Sequence, residues 1–252
     1  MQAAADSNVL VDELRERIRN KRAIAVIGAG VSSATTGGNP LASWKGLLLD
    51  GVQRCEQLIQ SLPESWGDIV RRELNSGDMD DLLSAANKIE AKLKRIGDLG
   101  RWLISTVGQF QIVDPTILDA IQQLRIPLLT TNYDGLIEKR LSIPHVTWRD
   151  ASQYERVIQG EREGVIHLHG FYEDTDSVVL GVKSYEAVLG DQFAQTMQQA
   201  ITSLHSLIFI GFGKGLEDPN FASLLDWATK TFGDSPYRHY RLVSWTPIVG
   251  QM

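Results

Sequence analysis

Three polar residues that could carry acid–base or charge-stabilising chemistry follow buried apolar runs in this sequence. Asn132 and Asp134 come just after the run at 126–130, and His169 ends the run at 165–169. Histidine as a residue type titrates near neutral pH, so it can accept a proton from water or a hydroxyl group. An amide and a carboxylate suit places where positive charge develops during a reaction. The three residues together predict an active site.

Small residues follow two further apolar runs. Gly28-Ala29-Gly30-Val31-Ser32 follows residues 23–27, and Gly211-Phe212-Gly213 follows residues 207–210. The first loop matches the first two glycines of the dinucleotide-binding fingerprint, but Ser33 stands where the third would be. Its serine hydroxyls could contact a pyrophosphate held on backbone N–H groups. Glycines that merely turn the chain are the alternative.

Two common nucleotide-binding classes fit this loop poorly. No Lys-Ser or Lys-Thr pair follows it, which excludes a P-loop NTPase. Asp50 lies at about the distance of a ribose-binding acid, but it falls in a helical pattern instead of after a second strand. An NAD(P)-dependent dehydrogenase is therefore disfavoured.

These residues can form one site only if the fold brings the strand ends together, and the pattern of apolar residues predicts such a fold. Strands are predicted at 23–27, 126–130, 165–169, 207–210 and 240–243, and helices at 9–21, 115–124, 133–141, 185–204 and from Asp218-Pro219 onward. Alternating strands and helices predict an α/β fold, a Rossmann-like doubly wound parallel sheet. Ligands bind at the carboxyl ends of the strands in such a sheet. The stretch 41–110 reads as wholly helical, so we expect one domain, 1–252, with a helical insertion at about 42–110.

Composition narrows the class of protein. The chain has 252 residues, 43% of them hydrophobic, and a formal net charge of −6, which argues against a nucleic-acid coat or a polybasic membrane anchor. No run approaches the roughly 18 apolar residues of a membrane span, and residues 1–8 do not resemble a secretory signal. We therefore expect a cytoplasmic protein. A single cysteine, Cys55, excludes an intrachain disulfide and a cysteine-rich zinc site.

The four strand-end motifs, in this order, resemble the sirtuin (SIR2) superfamily over roughly residues 20–245. Gly38-Asn39-Pro40, Ser43-Trp44 and the stretch 217–221 are closer to the SIR2-like domains of bacterial anti-phage defence proteins, which hydrolyse NAD. The resemblance implies an NAD+ glycohydrolase that releases nicotinamide and depletes NAD+ in defence. It also implies a homo-oligomer or an activating partner protein, with no resident cofactor and no metal.

The resemblance assigns roles residue by residue. His169 would be the general base, Asn132 would position water or the ribose, and Asp134 would bind the carboxamide. The segment 37–44 would be a mobile cofactor loop, with Pro40 and Trp44 near the nicotinamide ribose. The remaining expected NAD+-binding residues are Gly28, Ala29, Gly30, Ser32, Thr131, Gly211, Phe212, Gly213, Asp218 and Asn220.

Departures from the deacylase branch favour water as the acceptor. Sirtuin deacylases carry two Cys-x-x-Cys pairs for zinc after the catalytic histidine, but residues 171–181 contain no cysteine. An NAD+-dependent protein deacylase and a non-catalytic NAD+ or ADP-ribose sensor are the alternatives. His167 is the rival base, because alternation predicts the same strand face for His167 and His169. We favour His169, which lies nearer the carboxyl end and precedes a glycine, and expect His167 to be hydrogen-bonded within the sheet.

Overall fold

A parallel β-sheet forms the centre of the computed structural model, which describes residues 2–213 and 238–242, with side chains from residue 9 onward. The strands are β1 (Ala23–Ile27), β2 (Leu128–Thr130), β3 (His145–Thr147), β4 (Val165–His167), β5 (Ser206–Ile210) and β6 (Tyr240–Leu242). Their spatial order is β3-β4-β2-β1-β5-β6, and every described pairing is parallel. The predicted α/β Rossmann-like fold is therefore confirmed.

Helices cover both faces of this sheet. Before the second strand they are α1 (Gln2–Arg19), α2 (Ala29–Thr35), α3 (Trp44–Leu58), α4 (Trp66–Ser76), α5 (Met79–Arg95), α6 (Leu99–Ser105) and α7 (Thr116–Gln123), with 3-10 turns at Pro40–Ala42 and Val107–Gln109. After it come α8 (Leu136–Leu141), α9 (Ala151–Ile158), α10 (Val182–Gly190) and α11 (Gln192–Leu204). Residues 41–110 contain no strand, as the helical pattern predicts.

Strand β1 divides the core into two layers because it is apolar on both faces, as a central parallel strand must be. Ala23, Ala25 and Ile27 pack with the helices that follow β1, whereas Ile24 and Val26 pack against α9 and α11. All five side chains are fully buried. Since β2 and β5 lie on opposite sides of β1, the chain order reverses there, which is where open α/β sheets bind ligands.

The helices between β1 and β2 share a hydrophobic cluster with the sheet. Trp102 of α6 is completely buried in it, and its indole nitrogen donates a hydrogen bond to Asp50 of α3 at 2.7 Å. The buried carboxylate of Glu90 on α5 accepts the backbone N–H of Gly181 at 2.9 Å, just before α10. These contacts join the insertion to the strands and helices around it.

Two predicted elements differ from the pattern because of a turn or a cap within them. The predicted strand 165–169 ends at His167, because the N–H of Gly170 turns back to the carbonyl of His167 (3.3 Å) and Gly170 has a φ of +85°. The predicted helix 185–204 is two helices that meet at Asp191, whose side chain caps α11 by accepting the N–H of Ala194.

Candidate active site

A cavity of about 380 Å³ opens where the loops after β1, β2, β4 and β5 meet. This volume is in the range of small-molecule sites. The predicted site residues that line it are Ala29, Gly30, Trp44, Thr131, Asn132, Asp134, His169, Gly211, Phe212 and Gly213. Gly28, Ser32 and Pro40 are not among its lining residues, and Asp218 and Asn220 lie outside the residues that the structure describes.

The glycines after β1 and β5 let two loops pack backbone against backbone. A Cβ atom on Gly30 would lie 2.7 Å from the carbonyl oxygen of Gly211, and one on Gly28 would lie 2.9 Å from the ring of Phe212. Gly211 itself has a φ of +75°, which favours glycine. Hydrogen bonds from Gly28 to Ile210 (2.9 Å) and from Gly30 to Gly211 (2.8 Å) close the contact. Close loop packing is therefore one reason for these glycines.

A chain of hydrogen bonds joins Ser32, Asn132 and Asp134. The amide nitrogen of Asn132 donates to Ser32 Oγ at 2.8 Å, and Ser32 Oγ donates to Asp134 Oδ2 at 2.6 Å. Asn132 also donates to the carbonyl of Gly28, and Asp134 Oδ1 accepts the N–H of Leu136 at the start of α8. Ser32 thus ties the loop after β1 to the loop after β2 and fixes the rotamers of both polar side chains.

Asp134 is a buried carboxyl group, with only 6% of its surface exposed. Burial raises its pKa, because a charged carboxylate loses solvation there. The hydrogen bonds from Ser32 and Leu136 lower the pKa of Asp134 but do not cancel the effect of burial. A positive charge entering the cavity would therefore favour the ionised form of this group.

His169 lies on the cavity wall beyond the end of β4. Its ring packs edge-on against Tyr185 of α10, with the ring centroids 5.4 Å apart. Its carbonyl oxygen accepts the N–H of Val179 at 2.9 Å, so the segment that follows folds back over it. A Cβ on Gly170 would lie 2.2 Å from the carbonyl oxygen of Ser177, so this turn accepts only glycine without rearrangement.

His167 occupies a different environment, so the expected shared strand face is wrong. Because β4 ends at His167, the alternation of side chains does not extend to His169. His167 is completely buried and does not line the cavity. Its Nδ1 lies 2.8 Å from the backbone oxygen of Asn132, and its Nε2 lies 2.7 Å from Glu138 Oε1.

The helices of the insertion build the opposite wall, which the sequence reasoning missed apart from Trp44. This wall is mainly apolar and is formed by Leu41, Leu47, Met79, Leu82, Val107 and Phe110. The pairs Trp44/Leu47 and Met79/Leu82 have helical spacing, a pattern that is typical of ordinary core residues. The indole N–H of Trp44 is buried and has no hydrogen-bond partner among the described residues.

Residues 39–44, the second part of the predicted cofactor loop, are held by local hydrogen bonds. Pro40 begins the 3-10 turn and is exposed, while Asn39 accepts the N–H of Leu41 at 3.0 Å. Ser43 caps α3 by accepting the N–H of Gly46. Residues 41–44 of the predicted cofactor loop therefore line the cavity, whereas Pro40 does not.

The donor set for a structural zinc centre does not fit the segment after His169. Residues 171–181 supply no thiolate, and the turn is held by protein hydrogen bonds, including Ser177 Oγ to the carbonyl of Asp174 (2.6 Å) and Trp148 Nε1 to the carbonyl of Ser177 (2.7 Å). Cys55 is buried in α3, where burial raises the pKa of its thiol to about 12. Within residues 2–213 and 238–242, no three His, Cys, Asp or Glu side chains group in a way that could hold a metal.

A family model described as a SIR2-like domain matches residues 127–251, a range that begins just before β2 and includes Asn132, Asp134 and His169. In addition, no helix in the described part of the chain has the length and apolar character needed to cross a membrane.

Proposed function

Because the chain belongs to the SIR2-like superfamily, whose members are NAD+-using enzymes, we propose that it is an NAD+ glycohydrolase. The reaction would cleave the bond between nicotinamide and ribose and transfer the ribosyl carbon to water. The observation that carries the proposal is the placement of Asn132, Asp134 and His169 around one cavity at the carboxyl edge of the sheet.

The chemistry of the bond fits these groups. Nicotinamide leaves NAD+ as a neutral molecule, so the positive charge of the ring passes to the ribose in an oxocarbenium-like transition state. The Asp134 carboxylate favours this cation electrostatically, and Asn132 orients the ribose or the attacking water. His169 accepts the proton that water loses as its oxygen bonds to C1′. The products are nicotinamide, ADP-ribose and one proton.

The apolar wall suits the nicotinamide ring. Phe110, Val107, Leu82 and Met79 line the cavity and would leave few competing polar groups near a ring bound against them. The buried indole N–H of Trp44 provides a donor for a ligand at this wall. Since a low-dielectric cavity strengthens electrostatic interactions, the same wall increases the effect of Asp134.

The segment after His169 favours hydrolysis over deacylation. Deacylases use a zinc-bound module at this point of the chain, whereas residues 171–181 form a short turn without thiolates. Water is then the acceptor that needs no further binding groove. We also propose that the activity serves anti-phage defence by depleting NAD+, and that self-association or a partner protein activates it. This role rests on the resemblance of the motifs around Pro40 and Trp44.

The test is to incubate the purified protein with NAD+ at increasing protein concentration and to quantify nicotinamide and ADP-ribose. His169→Ala and Asn132→Ala should lower turnover by about 10²-fold or more, the range expected for a lost acid–base group. His205→Ala, a histidine away from the cavity, is the matched control. Saturable NAD+ binding without turnover would favour a sensor, and nicotinamide release only with an acylated peptide would favour a deacylase.

A further inference from the structure

His167 and Glu138 form a buried pair behind the proposed active site. His167 has no exposed surface, and only 12% of the Glu138 side chain is exposed. The pair lies outside the cavity, and neither residue is among those to which the family resemblance gives a role. It nevertheless contacts the site, because His167 Nδ1 lies 2.8 Å from the backbone oxygen of Asn132.

The partners of His167 fix its hydrogen-bonding state. The oxygen of Asn132 can only accept a hydrogen bond, so Nδ1 of His167 carries a proton and donates it. The Glu138 carboxylate, 2.7 Å from Nε2, holds the ring in that orientation from the other side. The structure thus has a histidine whose two nitrogens link α8 to the loop after β2.

Groups around the pair favour the protonated form of the His167 ring. Burial opposes the charge of His167, but the Glu138 carboxylate, its hydrogen bond and the oxygen of Asn132 outweigh burial and raise the pKa of His167. Asp134 acts in the same direction. His145 of β3, whose ring stacks on Phe171 with the centroids 4.0 Å apart, is a nearby titratable group, and partial desolvation and the charge of His167 lower its pKa.

Within the described part of the chain, four hydrogen bonds hold Asn132, three donated by its N–H groups and one at its backbone carbonyl. Its backbone N–H donates to Thr130 Oγ1 at 3.0 Å, and its side chain is held by Ser32 and the carbonyl of Gly28. Among these contacts, only the bond from His167 restrains the carbonyl side of the Asn132 peptide. Loss of that bond would let the peptide plane rotate, and the Asn132 amide would leave its place on the cavity wall.

We infer that His167 is a positioning residue, held by Glu138. It fixes the Asn132 peptide so that the Asn132 side chain can orient the ribose or the attacking water. The expected effect on NAD+ turnover rests on the proposed function, whereas the expected effect on the position of Asn132 does not. His169 is then the histidine that acts on the substrate, and His167 acts only through Asn132.

Two isosteric substitutions separate the two hydrogen bonds of His167. In His167→Asn, the amide nitrogen takes the place of Nδ1 and can still donate to Asn132. In His167→Gln, the amide nitrogen takes the place of Nε2, so the bond to Glu138 survives and the bond to Asn132 is lost. Both variants remove the charge of the ring, so a loss of stability common to both does not explain a difference between them. The same two substitutions at His205 are the controls.

The kinetic experiment measures kcat and KM for NAD+ in each variant. We expect His167→Gln to lower kcat at least tenfold relative to His167→Asn, with KM changed less than threefold between them. Glu138→Gln should keep more than a third of the wild-type kcat, because its amide can donate to Nε2 while Nδ1 still donates to Asn132. Equal kcat values in the Asn and Gln variants would overturn the inference.

A second readout does not depend on turnover. In protein labelled with ¹⁵N at asparagine only, the Asn132 side-chain signals are identified by their loss in Asn132→Asp. These signals should move in His167→Gln and stay near their wild-type positions in Glu138→Gln. Unmoved signals in His167→Gln would refute the positioning role even if the wild-type protein hydrolyses NAD+. Moved signals with no NAD+ turnover in the wild type would instead refute the proposed function alone.

Discussion

Replacing Ser32 by alanine should destabilise the fold through two buried hydrogen bonds at once. The Ser32 hydroxyl donates to Asp134 at 2.6 Å and accepts from Asn132 at 2.8 Å, and Ser32 is only 2% exposed. A hydrogen bond to a charged group contributes roughly 1.5–3 kcal/mol and a neutral one roughly 0.5–1.5 kcal/mol. We therefore expect the free energy of unfolding to fall by about 2–4.5 kcal/mol.

This loss should grow as the pH rises. Burial raises the pKa of folded Asp134 above its unfolded value, so ionising this group costs stability as the pH passes from the unfolded to the folded pKa. The Ser32 hydroxyl reduces that cost because it lowers the pKa of Asp134. Without the hydroxyl, the folded pKa rises further, and the deficit of Ser32→Ala is larger above the folded pKa than at acidic pH.

Urea unfolding at pH 4.5 and pH 7.5 measures both effects. Ser33→Ala is the matched control, since it makes the same change in the same helix at a hydroxyl outside this hydrogen-bond chain. Free energies of unfolding within about 0.5 kcal/mol of each other in the two variants, the usual spread for neutral surface changes, would refute the role of these hydrogen bonds. A deficit of Ser32→Ala that is the same at both pH values would contradict the electrostatic part.

Three further predictions follow from packing and burial. Gly30→Ala should lower the free energy of unfolding, measured in urea, by about 1–3 kcal/mol, because its Cβ would lie 2.7 Å from the carbonyl oxygen of Gly211. Gly190→Ala is the control and should not lower it in this way, because no atom lies within 4 Å of the added Cβ. Cys55 should resist iodoacetamide at pH 8 in the folded state and react on unfolding, since burial raises its thiol pKa to about 12. Trp102→Phe should lower the free energy of unfolding by about 1–3 kcal/mol, because it removes the hydrogen bond to Asp50 and leaves a void.

Each of these has a clear contrary result. Equal stability of Gly30→Ala and Gly190→Ala would mean that the loop contact relaxes without cost. Alkylation of Cys55 at the rate of a free thiol in folded protein would mean that α3 opens readily. An unchanged unfolding curve for Trp102→Phe would mean that Asp50 finds another partner.

The sheet was predictable because its strands are buried on both faces and therefore read as continuous apolar runs. Residues 23–27 and 207–210 are of this kind, and β1 and β5 match them within a residue. Strand β3 (His145–Thr147) escaped assignment as a strand, since three residues at the edge of a sheet carry too short a pattern to recognise. The end of β4 was placed too late because the turn at Gly170 packs closely against Ser177, seven residues further on, and no local pattern indicates this contact.

The polar part of the site was predictable from strand ends, and the apolar part was not. Asn132, Asp134 and His169 follow strands directly, so the rule for open parallel sheets places them at one edge. Met79, Leu82 and Phe110 come from the insertion and look like any residues of an amphipathic core. Only the packing of the insertion over the sheet makes them part of the cavity wall. The pairing of His167 with Glu138 was also not predictable from a local pattern, since 29 positions separate the two residues in the sequence.

The most direct test of the central claim is the rate of ADP-ribose formation from saturating NAD+ with water as the only acceptor, measured on the wild type and on His169→Ala. We predict that the wild type forms nicotinamide and the ADP-ribose product in equal amounts. We predict that His169→Ala binds NAD+ but forms the product at least 10²-fold more slowly. Equal rates in the two proteins, or NAD+ binding by the wild type without any product, would contradict the account.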